Sequence, residues 1–360
     1  MPWFWPFEFA AAVGQQEMSL FKRGLETVAE AEKLEYGLTP EFATRNTVAL
    51  ELRTMRLRDF SGRPAAGGTP TIIDAPFAGH TAVIADFTDS QSLVRTLQQN
   101  GVERVFVTDW KSATIDMKDF DIDNYLADIN VAVDDLGGRV NLIGLCQGGW
   151  MSAMYAARFP AKVRTLVLAG SPMDTDAGDG AIKAIAHELP ISDYEELVSL
   201  GGGLMRGRFM LEAWKNMHPG EQYFTKYIDL YEHAEDPAYL KKQESFEAWY
   251  ENPIDLPGRW YLQAVKSLFK ENQLAKGTFV GLGRKLSLKD IVCPVYLLAG
   301  DRDDITTKEQ VFEAEKYFGT PRSQIVKKLA PGGHIGLFMG AGTLKNYWPA
   351  IASWILDSSD

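Results

Sequence analysis

The residues best placed to do chemistry are Gly144-Leu145-Cys146-Gln147-Gly148, which directly follow the apolar run Val140–Leu145 and directly precede a helical pattern. A tight strand-to-helix turn strains its central residue and stands that side chain out of the backbone, and flanking glycines relieve the crowding. The helix N-terminus behind the turn supplies positive potential, which favours a reactive thiolate. The Gln147 amide then points to where an oxyanion develops. The chemistry implied is nucleophilic acyl transfer through Cys146. The plain alternative is a buried cysteine acting as a small hydrophobe. Cys293 reads that way, because it sits at a strand edge without glycines around it.

Such a nucleophile needs a base and an orienting acid, expected downstream in the order acid, then histidine. The run Leu297-Leu-Ala-Gly-Asp-Arg-Asp-Asp-Ile-Thr places carboxylates at the end of a late strand. Asp303 is the expected acid, with Asp301 and Asp304 as competitors, since one of them can instead cap the next helix. His334, in Pro331-Gly-Gly-His-Ile-Gly, follows the last strand and has glycines on both sides, so its loop can carry an imidazole over the elbow. His187, His218 and His233 fall in a helical stretch where a structural or solvated role is the default. The loop after the strand at 71–75, a usual source of a second oxyanion donor, contains Phe77 and His80. Phe77 is the expected donor, and His80 and Trp150 are expected to line the site. No histidine pair has metal-ligand spacing, and neither metal nor cofactor is expected.

Elements able to position these residues are visible in the pattern. Residues 15–36 read as a helix, and Val48-Ala-Leu-Glu-Leu-Arg-Thr-Met-Arg-Leu reads as an alternating strand. Short apolar runs at 71–75, 104–110, 140–145 and 164–170 alternate with helical patterns at 89–99, 122–135 and 149–158. That alternation implies βαβ units and a buried parallel sheet. From 171 to 285 the chain reads as consecutive amphipathic helices rich in aromatic residues and methionine. Strands at 294–300 and 324–329 and a helix near 344–356 then resume the sheet. The expected class is α/β: an α/β-hydrolase fold with a mostly parallel, doubly wound sheet and an inserted helical cap. The expected parts are an N-terminal segment (1–45), a first core part (46–170), the cap (171–285) and a second core part (286–360). Ligands of such sheets bind beyond the carboxyl ends of the strands.

The 360 residues are 46% hydrophobic and 24% charged, with a net charge of −11, which argues against nucleic-acid binding. Two cysteines make a disulfide framework improbable and point to a reducing, cytoplasmic setting. No apolar stretch is long enough for a transmembrane segment. The start, with Trp3, Phe4, Trp5 and Phe7, lacks the form of a signal peptide. Its aromatics read as core material or as a foothold on an apolar surface.

The chain resembles the polyhydroxyalkanoate synthase and intracellular depolymerase (PHB depolymerase) group of the α/β hydrolases from about residue 30 onward. Gly144-Leu-Cys-Gln-Gly-Gly149 is similar to the modified lipase box of the synthases, as are Pro331-Gly-Gly-His-Ile-Gly336, the stretch 286–295 and Leu256-Pro-Gly-Arg-Trp-Tyr261. Ala75-Pro-Phe-Ala-Gly-His80, Ser171-Pro-Met-Asp174, Gly300-Asp-Arg-Asp-Asp-Ile305 and the stretch 334–340 are similar to the depolymerases. Synthases usually have histidine where Asp304 stands, and depolymerases usually lack the Gly148-Gly149 pair. Both resemblances imply a triad of Cys146, Asp303 and His334 acting on 3-hydroxyacyl esters or thioesters.

The expected substrates are therefore polyhydroxyalkanoate polymer or a 3-hydroxyacyl-CoA, with a granule surface, a second copy or a partner subunit as conceivable partners. Depolymerisation by hydrolysis or thiolysis is the leading expectation, partly because Asp304 places negative charge beside His334. Polymer synthesis and general thioesterase or esterase activity are the alternatives. A non-catalytic granule binder is disfavoured by the complete set of nucleophile, base and acid.

Overall fold

The computed structural model describes residues 40–62, 67–217 and 237–359. Its centre is an eight-stranded sheet. The strands are β1 (Thr47–Glu51), β2 (Met55–Asp59), β3 (Thr71–Asp74), β4 (Val105–Trp110), β5 (Val140–Leu145), β6 (Val163–Ala169), β7 (Val295–Gly300) and β8 (Ile325–Ala330). Their spatial order is β1-β2-β4-β3-β5-β6-β7-β8. The β1–β2 and β2–β4 pairs are antiparallel, and every pairing from β4 to β8 is parallel. Strands β3, β4, β5 and β7 are buried at every position, as a parallel strand covered on both faces must be.

Helices cover both faces. On one side, α2 (Ile122–Asp135) and α3 (Gln147–Arg158) pack Tyr125, Ile129, Trp150 and Met154 against the sheet. On the other, α1 (Leu93–Gln99) contributes Leu93, Val94 and Leu97, together with Trp348, Ile351 and Ile355 from the last helix. Full burial of each such side chain is worth about 1.5–3 kcal/mol. Local signals begin these helices: the Ser92 hydroxyl accepts from the Arg95 amide, and Asp121 with Asn124 forms a capping box before α2.

Between β6 and β7 the alternation stops. This stretch holds α4 (Ala181–Glu188), α5 (Ile191–Leu200), α6 (Gly207–Met217), α7 (Pro237–Tyr250) and α8 (Gly258–Gln263), the last running on as a π-helical turn, Ala264–Lys270. It is not purely helical. Leu204–Met205 pairs with Leu256–Pro257, and Val280–Gly281 pairs with Arg284–Lys285. Both pairings are too short to leave an alternating pattern. The stretch reaches the carboxyl end of the sheet: Ile254 N–H donates to Gly79 O (2.7 Å) and Ala113 N–H to Asp255 O (2.9 Å).

Two further differences from the pattern reading have local causes. The strand expected over 48–57 is a hairpin, because Leu52-Arg53-Thr54 turns without glycine or proline to mark it. The expected final helix is divided into α11 (Ala341–Asn346) and α12 (Trp348–Ser359), with Pro349 in the first turn of the second, where its missing N–H costs nothing. The short helices α9 (Lys308–Phe312) and α10 (Gly336–Met339) follow β7 and β8. The helix expected over 15–36, the N-terminal aromatics, His218 and His233 lie outside the described residues. Among the described residues no helix is long and apolar enough to cross a membrane.

Candidate active site

Cys146 is the single residue between β5 and α3, with φ 51° and ψ −117°. A non-glycine residue there is strained, and such strain persists only where the surroundings enforce it. They do so here by hydrogen bonds and by contact. Cys146 N–H donates to Ala169 O at the end of β6 (2.8 Å), and Gly149 N–H donates back to Cys146 O (3.0 Å). Any Cβ at Gly148 would collide with the Asp74 carbonyl oxygen, and one at Gly149 with the Ser171 side chain. The elbow therefore needs glycine at both positions. The Cys146 side chain stays half-buried at the top of the sheet.

Asp303 lies just beyond β7 and His334 just beyond β8, on adjacent parallel strands. His334 Nδ1 is 2.7 Å from Asp303 Oδ2, and both side chains are buried. Asp303 Oδ1 accepts from the amides of Ile305 (3.1 Å) and Thr306 (2.8 Å). The other ring nitrogen, His334 Nε2, is buried without a hydrogen-bond partner among the described residues. Burial opposes a charge on the ring, but Cys146 on one side and Asp303 on the other favour it, and the net shift of His334 is upward. Asp304, the next residue in sequence, is exposed. Asp301 serves the site differently, since its Oδ1 accepts from Gly332 N–H (2.8 Å) and pins the loop that carries His334.

Phe77 lies in the loop after β3, and Gln147 opens α3. No acceptor meets either amide among the described residues. The Phe77 ring is fully buried, stacked on Tyr125 (4.8 Å between centroids) and edge-on to Trp260 (5.2 Å). Trp150, on α3, tilts against Trp260 at 5.7 Å and its indole N–H has no partner among the described residues. His80 is engaged elsewhere: Nε2 is 2.9 Å from Tyr250 O, and the ring stacks on Tyr250 (5.2 Å) and leans on Trp249 (4.6 Å). Burial pushes its imidazole down to about 4. His187 is exposed, with Nε2 3.8 Å from Asp176 Oδ1. Burial pushes the Cys293 thiol up to about 12, in keeping with an inert role.

Asp74, Thr108 and Ser152 escape a sequence reading focused on the elbow. Asp74 closes β3 in register with Gly144 of β5, and its carboxylate is buried among hydroxyls. The one signal for it in the sequence is a carboxylate ending an apolar strand. Elsewhere, a cleft of about 760 Å³ lined by Lys118, Glu195, Arg259 and Lys266 contains neither Cys146 nor His334. Among the described residues no cluster of His, Cys, Asp and Glu is placed to hold a metal ion.

A protein family described as "Protein of unknown function (DUF3141)" matches residues 58–343. The Poly(3-hydroxyalkanoate) polymerase subunit PhaC of Allochromatium vinosum is 28% identical over 352 residues, covering 94% of this chain and 96% of its own. The subunit of the same name from Haloferax mediterranei is 27% identical over 346 residues, covering 93% and 67%. Among solved structures, mouse alpha/beta hydrolase domain-containing protein 10 superposes with a TM-score of 0.51 at 16% identity, covering 87% of this chain and 99% of the other. The fold is the α/β-hydrolase fold, and the strand order and the parallel run fit it.

Proposed function

The chain belongs to the DUF3141 protein family, within the polyhydroxyalkanoate synthase and α/β-hydrolase group, and we propose that it is a cysteine acyltransferase of the polyhydroxyalkanoate type. The observation that carries this reading is the buried His334–Asp303 pair at 2.7 Å, beside Cys146 at the strained elbow, which together with Asp303 favours a charged ring. Nucleophile, base and orienting acid from three strand ends are what acyl transfer needs.

In the first half-reaction Cys146 Sγ attacks the carbonyl carbon of a 3-hydroxyacyl thioester and its proton passes to His334 Nε2. The amides of Phe77 and Gln147 receive the oxyanion. The bond to the leaving sulfur breaks, and that sulfur departs as a thiol with the proton from His334. In the second, an acceptor hydroxyl gives its proton to His334 and attacks the acyl-cysteine. A new ester bond forms, the acyl–sulfur bond breaks, and Cys146 recovers its proton. Asp303 holds the imidazole throughout. Residues 171–285 act as a cap over the elbow and govern whether water or a hydroxyl reaches the acyl-enzyme.

The leading expectation from sequence is depolymerisation. The relatives' names favour the synthase alternative instead, since both are polymerase subunits. We therefore take the acceptor to be the hydroxyl end of a growing polyester. The test supplies 3-hydroxybutyryl-CoA and amorphous polyester granules in separate reactions. The synthase reading expects thiol release with polymer from the first and no loss of mass from the second. Granule loss without polymer would return the case to the depolymerase.

A further inference from the structure

We propose that Asp74 is a positioning residue that holds the two oxyanion-binding amides in register, by tying the loop that carries Phe77 to the helix that begins at Gln147. The inference rests on the acyl-transfer reading and deepens it.

The two amides come from different elements: Phe77 from the loop after β3, Gln147 from the first turn of α3. Nothing covalent fixes their separation, yet an oxyanion must lie about 2.7–3.1 Å from both. Asp74 stands where the two elements meet. It is the last residue of β3 and pairs in register with Gly144, just before the elbow. Its Oδ2 accepts from Ser152 Oγ of α3 (3.0 Å). Its Oδ1 accepts from Thr108 Oγ1 of β4 (3.2 Å), and that same hydroxyl oxygen accepts from Ala75 N–H (2.9 Å). Trp110 Nε1–H donates to Ala75 O (3.0 Å), which holds the loop from its other side. Gly148 packs its Cα directly against the Asp74 carbonyl. One side chain thus joins β4, the oxyanion loop and the nucleophile helix.

The choice of a carboxylate needs explaining. Asp74 is buried, and among the described residues no Lys, Arg or His pairs with it. The groups that face it, Thr108 and Trp110 from β4 and Ser152 from α3, are all neutral. Burial raises it to about 7, although those hydrogen bonds pull it down. A neutral amide would fill the same space without that desolvation cost. An ionised carboxylate, unlike an amide, accepts from both hydroxyls at once and so fixes both hydroxyl hydrogens.

The test compares wild type with Asp74→Asn, using p-nitrophenyl butyrate to acylate Cys146 and iodoacetamide to alkylate it. Acylation builds an oxyanion and alkylation does not. A misplaced oxyanion site should slow the acylation rate constant about 100-fold at pH 8, while KM changes less than twofold and alkylation keeps its wild-type rate. The wild-type acylation profile should show an inflection near pH 7 that the variant lacks. Ser152→Ala and Thr108→Val, each cutting one tie, should slow acylation about tenfold, and they carry the test should Asp74→Asn not fold. Wild-type acylation in the variants, or a parallel loss of acylation and alkylation, overturns the inference alone. A wild-type protein that the activated ester never acylates overturns the acyl-transfer reading and this inference with it.

Discussion

Asp303 divides its carboxylate between two partners: Oδ2 meets His334 Nδ1 at 2.7 Å, while Oδ1 is held by the amides of Ile305 and Thr306. The carboxylate cannot rotate without losing two amide hydrogen bonds. This fixes which nitrogen of His334 is engaged and leaves Nε2 for the thiol.

Asp303→Asn should therefore be severe for a defined reason. The amide oxygen will stay with the Ile305 and Thr306 N–H groups, so the amide N–H will face Nδ1. Nδ1 must then accept, the ring proton moves to Nε2, and the base is lost. Turnover should fall about 10³–10⁴-fold with the fold intact. Asp304→Asn should cost less than about threefold, and Asp301→Asn an intermediate amount through the Gly332 loop. Steady-state kinetics on the three variants would reassign the acid if Asp301 or Asp304 proved the most sensitive.

Thiol labelling should separate the two cysteines. Cys146 stands at the elbow beside His334, whereas burial pushes Cys293 up to about 12. Iodoacetamide at pH 7 should modify Cys146 at least about 100-fold faster, as peptide mass mapping reads it. Cys146→Ala should remove both the fast labelling and turnover, with Cys293 untouched. Activity surviving in that variant would exclude Cys146 as the nucleophile.

The loop bearing Phe77 is also stitched to the inserted segment, and this connection should be pH-sensitive. Gly79 O accepts from Ile254 N–H, Thr81 O from Trp249 Nε1–H (3.0 Å), and His80 bonds Tyr250 O. Burial lowers His80 to about 4 from 6.5, so the folded state favours the neutral ring. Its contribution is complete above about pH 6.5 and is lost as pH falls through about 4. His80→Phe keeps the stacking but cannot titrate. Between pH 7 and pH 4 wild type should lose about 2 kcal/mol more stability than the variant in denaturant titrations, the half-buried ring tempering the full shift. Parallel losses would mean that His80 does not titrate in that range.

Much of this site is legible in the sequence because its chemistry is local in the chain. The elbow lies within five consecutive residues, and Asp303 and His334 each follow a strand whose apolar run is plain. The sheet is legible for the same reason, since fully buried strands leave continuous apolar runs. What the sequence hides is pairing at a distance. Asp74 meets Thr108 and Ser152 across 34 and 78 positions, and no spacing rule joins an aspartate to two hydroxyls on other elements. The β1–β2 hairpin is hidden because apolar alternation runs on through its turn. Nor does the sequence show which of its carboxylates is covered: Asp304 lies exposed while its neighbour Asp303 is buried against the imidazole.

The most direct measurement is intact-protein mass spectrometry after rapid mixing with 3-hydroxybutyryl-CoA, followed by peptide mapping. The account predicts one 3-hydroxybutyryl group per chain, carried on Cys146, with an equal amount of free thiol released before polymer appears. His334→Ala should slow its formation, and Cys146→Ala should abolish it. Thiol release from wild type with no acyl group on Cys146, or an acyl group carried on another residue, would contradict the account.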